Sequence, residues 1–345
     1  MVKKLKSKIL INDIHFGKFN DSIDHNERIL KFFDFVLQIA KNRSIDDIVI
    51  QGDYFENRHQ YNGLTLDYAL KGIHRLSKNH KVTMIKGNHD LFYRDRRDIS
   101  PLNSYRDINN VRVVEYYDIQ DDEMYVSWIV NPEEFDEVVE ISKNRCIRHI
   151  YGHFEFSSFK MNENYKMKHG YSHRSLSHIE KIFTGHYHKR QERDNIIYVG
   201  NPFAFDYSDA NDNAKGLCIV NSDGTHEFVD YNLDRKIYSM NYKDFLSVDT
   251  IADPGSIRVV VDDVISNEMY EQIQAKLDLY NLDDKKIVVK NESIVNQEVD
   301  IVSDAAIKSI DEIVKESIFK MCDTMKGDID KHLLYAIYEG TDADD

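Results

Sequence analysis

The sequence is poor in cysteine and lacks both a long apolar run and an excess of positive charge. Its three cysteines, Cys146, Cys218 and Cys322, show no paired spacing, so neither a disulfide framework nor a zinc knuckle is indicated. No uninterrupted apolar run reaches the roughly 18 residues of a membrane span. The basic start meets Asn12 and Asp13 after a short apolar run, which is a poor signal peptide and a good first strand. These absences favour a globular protein of a reducing, cytoplasmic compartment.

The charge balance is acidic, with 45 lysines and arginines against 60 aspartates and glutamates and a net charge of −15. This argues against a broadly basic protein that neutralises nucleic-acid phosphates. Chemistry on DNA is not excluded, because two bound divalent cations add about four positive charges where a phosphate lies. A partner subunit could supply further contacts with the nucleic acid.

At 345 residues the chain is too long for one ordinary domain and is expected to bury a full core with a smaller module attached. In the first two-thirds, short apolar runs alternate with helical patterns such as that of 26–40. This alternation predicts a layered α/β domain over 1–240. After a linker, 241–255, a strand–helix–strand pattern predicts a small α+β module over 256–295. Two amphipathic helical patterns follow within 303–340.

Five short polar clusters each follow a predicted strand. The loops at the carboxyl ends of strands in α/β sheets converge around one crevice, so the pattern predicts one site assembled from distant segments. The clusters are Asp13-Ile14-His15, Gly52-Asp53, Gly87-Asn88-His89-Asp90, Gly152-His153 and Gly185-His186-Tyr187-His188.

The residue types in these clusters suit manganese, iron(II) or zinc, because they offer carboxylate oxygen and imidazole nitrogen without thiolate. In the Asp-x-His and His-x-His pairs, residues two apart point the same way on an extended chain, so both can reach one metal. The glycines that precede the ligands let the backbone turn sharply. Two ions about 3.5–4 Å apart can polarise a phosphoryl oxygen and generate a hydroxide for in-line attack. One cluster alone would more often be a simple turn, and only the five together indicate a metal site.

These five clusters, in this order, resemble the signature of the calcineurin-like metallophosphoesterases. The resemblance implies a layered metallophosphoesterase β-sandwich with flanking helices and a two-metal site. One ion would be held by Asp13, His15, Asp53 and His188. The other would share Asp53 as a bridge and be held by Asn88, His153 and His186. His89 would be the general acid that protonates the leaving alcoholate, with Asp90 orienting it.

Two further stretches resemble the SbcD-type nucleases, bacterial and phage counterparts of the Mre/Rad break-repair nuclease, and their T-even phage branch above all. They are Gly52-Asp53-Tyr54-Phe55-Glu56 and Tyr198-Val199-Gly200-Asn201-Pro202. The resemblance implies an exonuclease or endonuclease acting on DNA ends or hairpins with two metal ions, Mn²⁺ first, with Mg²⁺ or Fe²⁺ as alternatives. It also implies a recombination and repair complex with an SMC-like ATPase of the Rad/SbcC type, in a bacterial or phage-infected cell. A homodimer is a further option, and no membrane is involved.

The same resemblance assigns the later segments. The module 256–295 would be a DNA-capping module, and the C-terminal helices within 303–340 would bind the ATPase partner. Two positions depart from the family pattern. Glu56 stands where some members place a histidine, so a role of that histidine in directing exonuclease cleavage does not carry over. Asn201 replaces the usual small hydroxyl residue.

The loop after the catalytic cluster is predicted to bind DNA, because it must border the site. Its arginines would contact phosphates and its tyrosine would stack on a splayed base. The alternative is a solvated turn balanced by its own aspartates. The residues are Tyr93, Arg94, Arg96 and Arg97.

Other functions stay open on the sequence alone. A phosphoprotein phosphatase or cyclic-nucleotide phosphodiesterase would use the same clusters, although the module after 256 speaks against it. A non-catalytic scaffold or adaptor on the same fold would have no need of His89 beside Asn88. The apolar stripe on 304–321 could likewise pack on this chain's own core rather than on a partner.

Overall fold

The computed structural model describes residues 5–161, 166–252 and 254–290, and strands outnumber helices in these ranges. The strands of the main body are β1 (Lys8–Ile11), β2 (Asp47–Gln51), β3 (Lys81–Ile85), β4 (Val111–Val114), β5 (Tyr117–Gln120), β6 (Glu123–Val126), β7 (His149–His153), β8 (Lys181–Gly185), β9 (Gln191–Arg193), β10 (Ile196–Tyr198), β11 (Gly216–Val220) and β12 (His226–Asp230). Its helices are the short Lys18–Asp21 and the longer Ile23–Arg43, Gly63–Ser77 and Pro132–Asn144, with 3-10 turns at Pro101–Tyr105 and His173–Leu176.

These strands form two six-stranded mixed sheets. The first has the order β12-β11-β1-β2-β3-β4, and the second has the order β5-β6-β7-β8-β10-β9. The strands β1 to β4 are parallel, with Leu10 opposite Val49. In the second sheet β6, β7, β8 and β10 are parallel. Antiparallel partners close the edges at β12, β5 and β9.

The two sheets pack face to face around a shared apolar layer. Leu10, Val49 and Ile85 of the first sheet belong to one buried cluster with Tyr151 and Phe183 of the second. Side chains alternate along a strand, so the neighbours of these residues face outward. The outward residues of the first sheet pack under the helices Ile23–Arg43 and Gly63–Ser77, and those of the second pack under Pro132–Asn144. The predicted layered β-sandwich with flanking helices is therefore confirmed.

The helix Ile23–Arg43 illustrates why these segments fold as they do. The hydroxyl of Ser22 accepts a hydrogen bond from the backbone of His25 and caps its first turn. Its buried apolar positions, which include Ile29, Phe33 and Val36, recur every three or four residues. The helical pattern predicted over 26–40 therefore lies inside a longer helix that buries one face on the first sheet.

A third, smaller sheet follows the main body. It consists of β13 (Lys236–Asn241), β14 (Pro254–Val261) and β15 (Asp284–Val289), all parallel, with helices Tyr242–Ser247 and Asn267–Leu277. The strand, helix and strand predicted from 256 onward are present. β13 and the helix Tyr242–Ser247 precede these elements, and residues 291–295 of the predicted module lie outside the described residues. That helix occupies the segment expected to be a linker and buries Phe245 in the module's own core.

The amphipathic patterns within 303–340, including the stripe on 304–321, lie outside the described residues. Within those residues, none of the helices combines the length and apolar character needed to cross a membrane.

Candidate metal centre

The five polar clusters meet at one edge of the two sheets. Asp13, Asp53 and Asn88 follow the parallel strands β1, β2 and β3, and the later histidines lie at or after the ends of β7 and β8. Backbone bonds join the loops, since the amide of His15 donates to the carbonyl of Asp53 at 3.0 Å. The structure thus brings together all seven predicted ligands, which the sequence spreads over more than 170 positions.

Several of the candidate ligands have a left-handed backbone conformation, which sets the direction of their side chains. Non-glycine residues in this conformation carry a cost of about 1–3 kcal/mol each and persist only where the surroundings fix them. The candidate ligands concerned are Asp13 (φ 50°), His15 (φ 55°), Asp53 (φ 50°) and His186 (φ 92°). Beside them Gly52 has a φ of 91°, and a Cβ there would lie 2.3 Å from Nδ1 of His153. Only glycine lets this strand end pass so close to a ligand.

One ligand cluster consists of Asp13, His15 and His188, whose ligand atoms lie within 4.8 Å of one another. The carboxylate of Asp13 is fully buried and accepts hydrogen bonds from the backbone amide of His186 at 3.1 and 3.2 Å. Nε2 of His15 is buried without a hydrogen-bond partner among the described residues and faces Oδ2 of Asp53 at 3.9 Å. A buried nitrogen of this kind is suited to a metal ion.

A second cluster consists of Asp53, His153 and His186. Oδ1 of Asn88 lies 3.1 Å from both Nε2 of His153 and Nδ1 of His186. Nδ1 of His153 lies 2.7 Å from the carbonyl of Gln51, which accepts the Nδ1 proton and leaves Nε2 as the nitrogen available to a metal ion. Asp53 faces both clusters, as a bridging ligand must. The oxygen and nitrogen donors fit two divalent ions of the manganese, iron or zinc type.

The titratable side chains of this site lie close enough to shift the pKa of one another. Burial by itself would raise the pKa of Asp53, but the imidazoles of His153 and His89 outweigh it and hold that pKa well below its usual value. Burial also opposes charge on His153, yet Asp53 raises the pKa of His153 to about 9. For His186, burial and the neighbouring His153 lower the pKa to about 3. The ionisation states of Asp53 and of the neighbouring histidines therefore depend on one another, and their arrangement favours bound cations.

His89, the predicted general acid, lies beside both clusters. Its ring centroid is 5.0 Å from that of His15, and its backbone amide donates to Oδ1 of Asp53 at 2.8 Å. Nδ1 of His89 donates to the backbone carbonyl of Glu56 at 2.6 Å. The ring is half-buried, so Nε2 is the nitrogen left for a substrate.

Asp90, predicted to orient His89, contacts backbone amides in the structure. Its carboxylate accepts hydrogen bonds from the backbone amides of Tyr54, Phe55 and Gly87 at 2.9–3.3 Å. It is fully buried and has no hydrogen bond to the His89 ring among the described contacts. Asp90 therefore ties the loop after β2 to the loop after β3. The group that orients His89 is the carbonyl of Glu56.

Glu56, the residue that departs from the family pattern, also contacts a ligand through its side chain. Its Oε2 lies 2.6 Å from Nδ1 of His15, and its Oε1 lies 3.3 Å from Nζ of Lys18. Burial disfavours the charge, but the contact with His15 and the nearby Lys18 and His89 together outweigh it and lower the pKa of Glu56 to about 2. A carboxylate behind a metal-binding imidazole fixes the ring and strengthens it as a donor. Sequence reasoning left this position without a role.

A buried ion-pair network behind His188 also went unnoticed in the sequence. Nζ of Lys215 donates to the carbonyl of His188 at 2.9 Å and lies 3.0 Å from Oδ1 of Asp209. Lys215 is 3% and Asp209 5% exposed. The amide of Asn201 donates to Asp209 at 3.0 Å, and its backbone amide donates to His188. The asparagine that replaces a hydroxyl residue therefore supports a ligand-bearing loop.

The predicted DNA contacts separate into two groups. Tyr93 and Arg94 are exposed, and the guanidinium of Arg96 stacks 4.2 Å above the Tyr93 ring while pairing with Asp98. The guanidinium of Arg97, in contrast, donates two hydrogen bonds of 2.6 and 2.7 Å to the carboxylate of Glu134 within the fold.

Arg58 is a basic residue near the site that sequence reasoning missed. It is half-buried and has no carboxylate partner within the part of the chain that the structure describes. Burial lowers its pKa, the nearby Asp53 opposes that shift, and Arg94 adds to it. Two neighbouring arginines without an acidic partner favour an anion between them.

The chain is similar in sequence or in structure to several known proteins. The model of the calcineurin-like phosphoesterase family matches residues 8–207. "Exonuclease subunit 1" of Enterobacteria phage T4 is 24% identical over 316 residues, which cover 87% of this chain and 88% of that protein. A dimetal phosphatase structure from Danio rerio is 12% identical with a TM-score of 0.39, covering 63% of this chain and 92% of that one. A Pseudomonas putida nuclease structure is 16% identical with a TM-score of 0.32, covering 62% and 84%.

The matched residues span more than half of the chain and contain every candidate ligand. With both ligand clusters assembled at the sheet edge, the chain belongs to the calcineurin-like phosphoesterases.

Proposed function

We propose that this chain is a two-metal DNA nuclease, which hydrolyses phosphodiester bonds at DNA ends or hairpins as an exonuclease, an endonuclease or both. The observation that carries the proposal is the convergence of two ligand clusters on Asp53 with His89 beside them. Family membership makes metal-dependent hydrolysis of a phosphoester the reaction. Similarity over most of the chain to a protein named as an exonuclease subunit favours DNA as the substrate.

The chain's own residues would hold the two ions as follows. Asp13, His15 and His188 bind one, Asn88, His153 and His186 bind the other, and Asp53 bridges them. When bound, the ions polarise the phosphoryl group and lower the pKa of a coordinated water. The donor set suits Mn²⁺ first, with Mg²⁺ or Fe²⁺ as alternatives.

His89 supplies the proton in this proposal. Its Nδ1 proton is donated to the carbonyl of Glu56, so His89 acts as the acid in its imidazolium form, in which Nε2 carries the proton that the leaving alcoholate takes up. The hydrogen bond from the backbone amide of His89 to Oδ1 of Asp53 keeps the ring close to the bridging carboxylate. In this proposal Asp90 acts indirectly, by holding together the loops after β2 and β3.

DNA is held by the exposed basic side chains around this centre. Arg94 and Arg96 contact phosphates, Tyr93 stacks on a base, and Arg58 adds a charge closer to the ions. These few groups and the ions offset the net charge of −15 locally. Arg97 contributes through the fold instead of through DNA.

The partner is an SMC-like ATPase of the Rad/SbcC type, and the biological setting is DNA recombination and repair in the cytoplasm. The relative's name as a subunit supports assembly with a second protein. The module 256–295 serves as the DNA-capping module, and 303–340 is the segment assigned to the ATPase. A homodimer is compatible with this arrangement.

The test is cleavage of end-labelled double-stranded DNA with Mn²⁺, Mg²⁺ or EDTA. The wild type is compared with His89→Ala and with His74→Ala, a control at an exposed position of the helix Gly63–Ser77. We expect cutting in Mn²⁺ that EDTA abolishes, that His89→Ala lowers about 10²- to 10⁴-fold, and that His74→Ala leaves unchanged. The metal content of His89→Ala should equal that of the wild type.

Other outcomes point to other functions. Hydrolysis of a phosphopeptide without any attack on DNA, alone or with the ATPase, would assign a phosphatase instead. Metal binding without any phosphoester hydrolysis would assign a scaffold.

A further inference from the structure

Trp128, the only tryptophan of the chain, lies against the metal centre. Its ring centroid is 5.0 Å from that of His186 and 5.8 Å from that of His153. It lies two residues after the end of β6, which is hydrogen-bonded to β7, the strand that carries His153. The largest aromatic side chain therefore contacts two candidate ligands, and it is not part of the buried apolar clusters of the described residues.

The backbone of Trp128 is fixed from both sides. Its amide donates to the carbonyl of Lys86 at 2.7 Å, one residue before the loop that carries Asn88 and His89. Its carbonyl accepts from Nη1 of Arg97 at 3.1 Å. Glu134 holds the other edge of that guanidinium. The position of the ring relative to Asn88 and His186 is thus set before any ligand binds.

The ring itself is half-buried, and its indole N–H has no hydrogen bond to any other described residue. A tryptophan placed for packing alone usually buries its ring and pairs its N–H. Here a rigid aromatic surface remains open at the edge of the site where a phosphodiester would be cleaved. Such a surface costs little conformational entropy when it binds a flat partner.

We infer that Trp128 stacks on a nucleobase next to the scissile phosphate. The inference rests on the proposed nuclease function and names a part of the substrate that the metal site does not contact. Stacking is tolerant of sequence because every base has a π-face, which suits an enzyme that acts at ends of any sequence. The alternative is that Trp128 only packs against the rings of His153 and His186 and orients them.

A single tryptophan makes the test direct, because all tryptophan fluorescence comes from this position. His89→Ala protein in Mn²⁺ is titrated with a labelled single-stranded oligonucleotide and with a matched oligonucleotide that carries abasic sites. Anisotropy of the label reports binding, and tryptophan emission reports stacking. We expect quenching by the normal oligonucleotide and markedly less by the abasic one at equal saturation. Equal or absent quenching by two bound oligonucleotides overturns the inference and leaves the nuclease function standing.

Absence of binding to any DNA, also in complex with the ATPase, overturns the proposed function and the stacking role with it. Substitutions add a second readout. Trp128→Leu should weaken oligonucleotide binding about 10- to 100-fold, and Trp128→Phe should stay within about threefold of the wild type. Both should bind Mn²⁺ as the wild type does, because neither substitution removes a candidate ligand. If Trp128→Leu weakens Mn²⁺ binding as much as oligonucleotide binding, Trp128 acts through the ligands and the inference falls.

Discussion

The backbone carbonyl of Glu56 accepts a hydrogen bond from Nδ1 of His89 at 2.6 Å. The side chain of the same residue reaches Nδ1 of His15, also at 2.6 Å. One residue therefore sets the ring of the proposed acid through its backbone and the ring of a candidate ligand through its carboxylate. These two contacts can be separated experimentally, because a substitution changes the second and keeps the first.

Glu56→Gln should weaken Mn²⁺ binding about 10- to 100-fold, because the His15 ring loses the carboxylate that orients it. The carbonyl of residue 56 still accepts from His89, so kcat at saturating Mn²⁺ should fall less than the affinity does. Calorimetric titration with Mn²⁺ and cleavage rates at several Mn²⁺ concentrations measure both. Glu140→Gln, at an exposed position of the helix Pro132–Asn144, serves as the control. Unchanged affinity together with lost turnover would show that Glu56 acts on the chemical step instead.

The two kinds of arginine in the loop after His89 should behave differently. Arg94→Gln should weaken DNA binding similarly for all sequences and reduce the salt slope by about one, because one phosphate contact is lost. Arg97→Gln should lower the free energy of unfolding by about 2 kcal/mol, because Glu134 loses its partner in a largely buried pair. Salt-dependent binding and urea unfolding of both variants separate these effects. A stable Arg97→Gln protein with weakened DNA binding would restore the original prediction for Arg97.

The ligands could be predicted from the sequence because each follows an apolar strand, and parallel strands end at a common edge. Asp13, Asp53 and Asn88 are placed by this rule alone. The supports around them could not be predicted in the same way. Glu56 meets His89 only because Asp53 adopts a left-handed backbone that folds the next loop over the site. A periodicity argument contains no information about such a turn.

The same limit explains why the contacts of Arg97 and Asp90 could not be predicted. Arg97 and Glu134 are 37 positions apart, and nothing local distinguishes an arginine that pairs in the fold from one that stays free for DNA. Asp90 is next to His89 in sequence, yet its carboxylate turns to backbone amides because a buried carboxylate needs several donors. Because Asp90 and His89 are adjacent in the chain, the sequence suggested that they form a pair. In the structure the need of the buried carboxylate for hydrogen-bond donors places it on backbone amides instead.

Lys215→Met should destabilise the protein by about 3–5 kcal/mol, because Asp209 stays buried without its partner. It should also weaken metal binding, since the carbonyl of His188 loses the Lys215 donor. The double variant Asp209→Asn with Lys215→Met removes both charges of this pair and should regain part of the stability, although Asp212 still loses its contact with Lys215. Urea unfolding of the wild type and the two variants measures this coupling. Equal loss in the single and double variants would show that the ion pair does not stabilise the loop.

His25 gives a prediction for acid stability. It is 1% exposed, packs against Phe205 and donates from Nε2 to the carbonyl of His15 at 3.2 Å. Burial, with Arg28 adding to it, lowers the pKa of His25 to about 3. Between about pH 6.5 and 3 the unfolded chain therefore holds a proton on His25 that the folded chain lacks. The free energy of unfolding must fall as the pH falls through this window, by about 2–3 kcal/mol at pH 4.5.

His25→Gln replaces the imidazole with an amide that can still donate to the His15 carbonyl and does not titrate. The variant should therefore lose about 2 kcal/mol less stability than the wild type between pH 7 and 4.5. Urea unfolding in EDTA measures this, because chelation removes the pH dependence that metal release would add. His74→Gln, at an exposed histidine, should follow the wild-type curve. Parallel curves for the wild type and His25→Gln would mean that His25 takes up its proton without leaving the core, and that its burial does not limit acid stability.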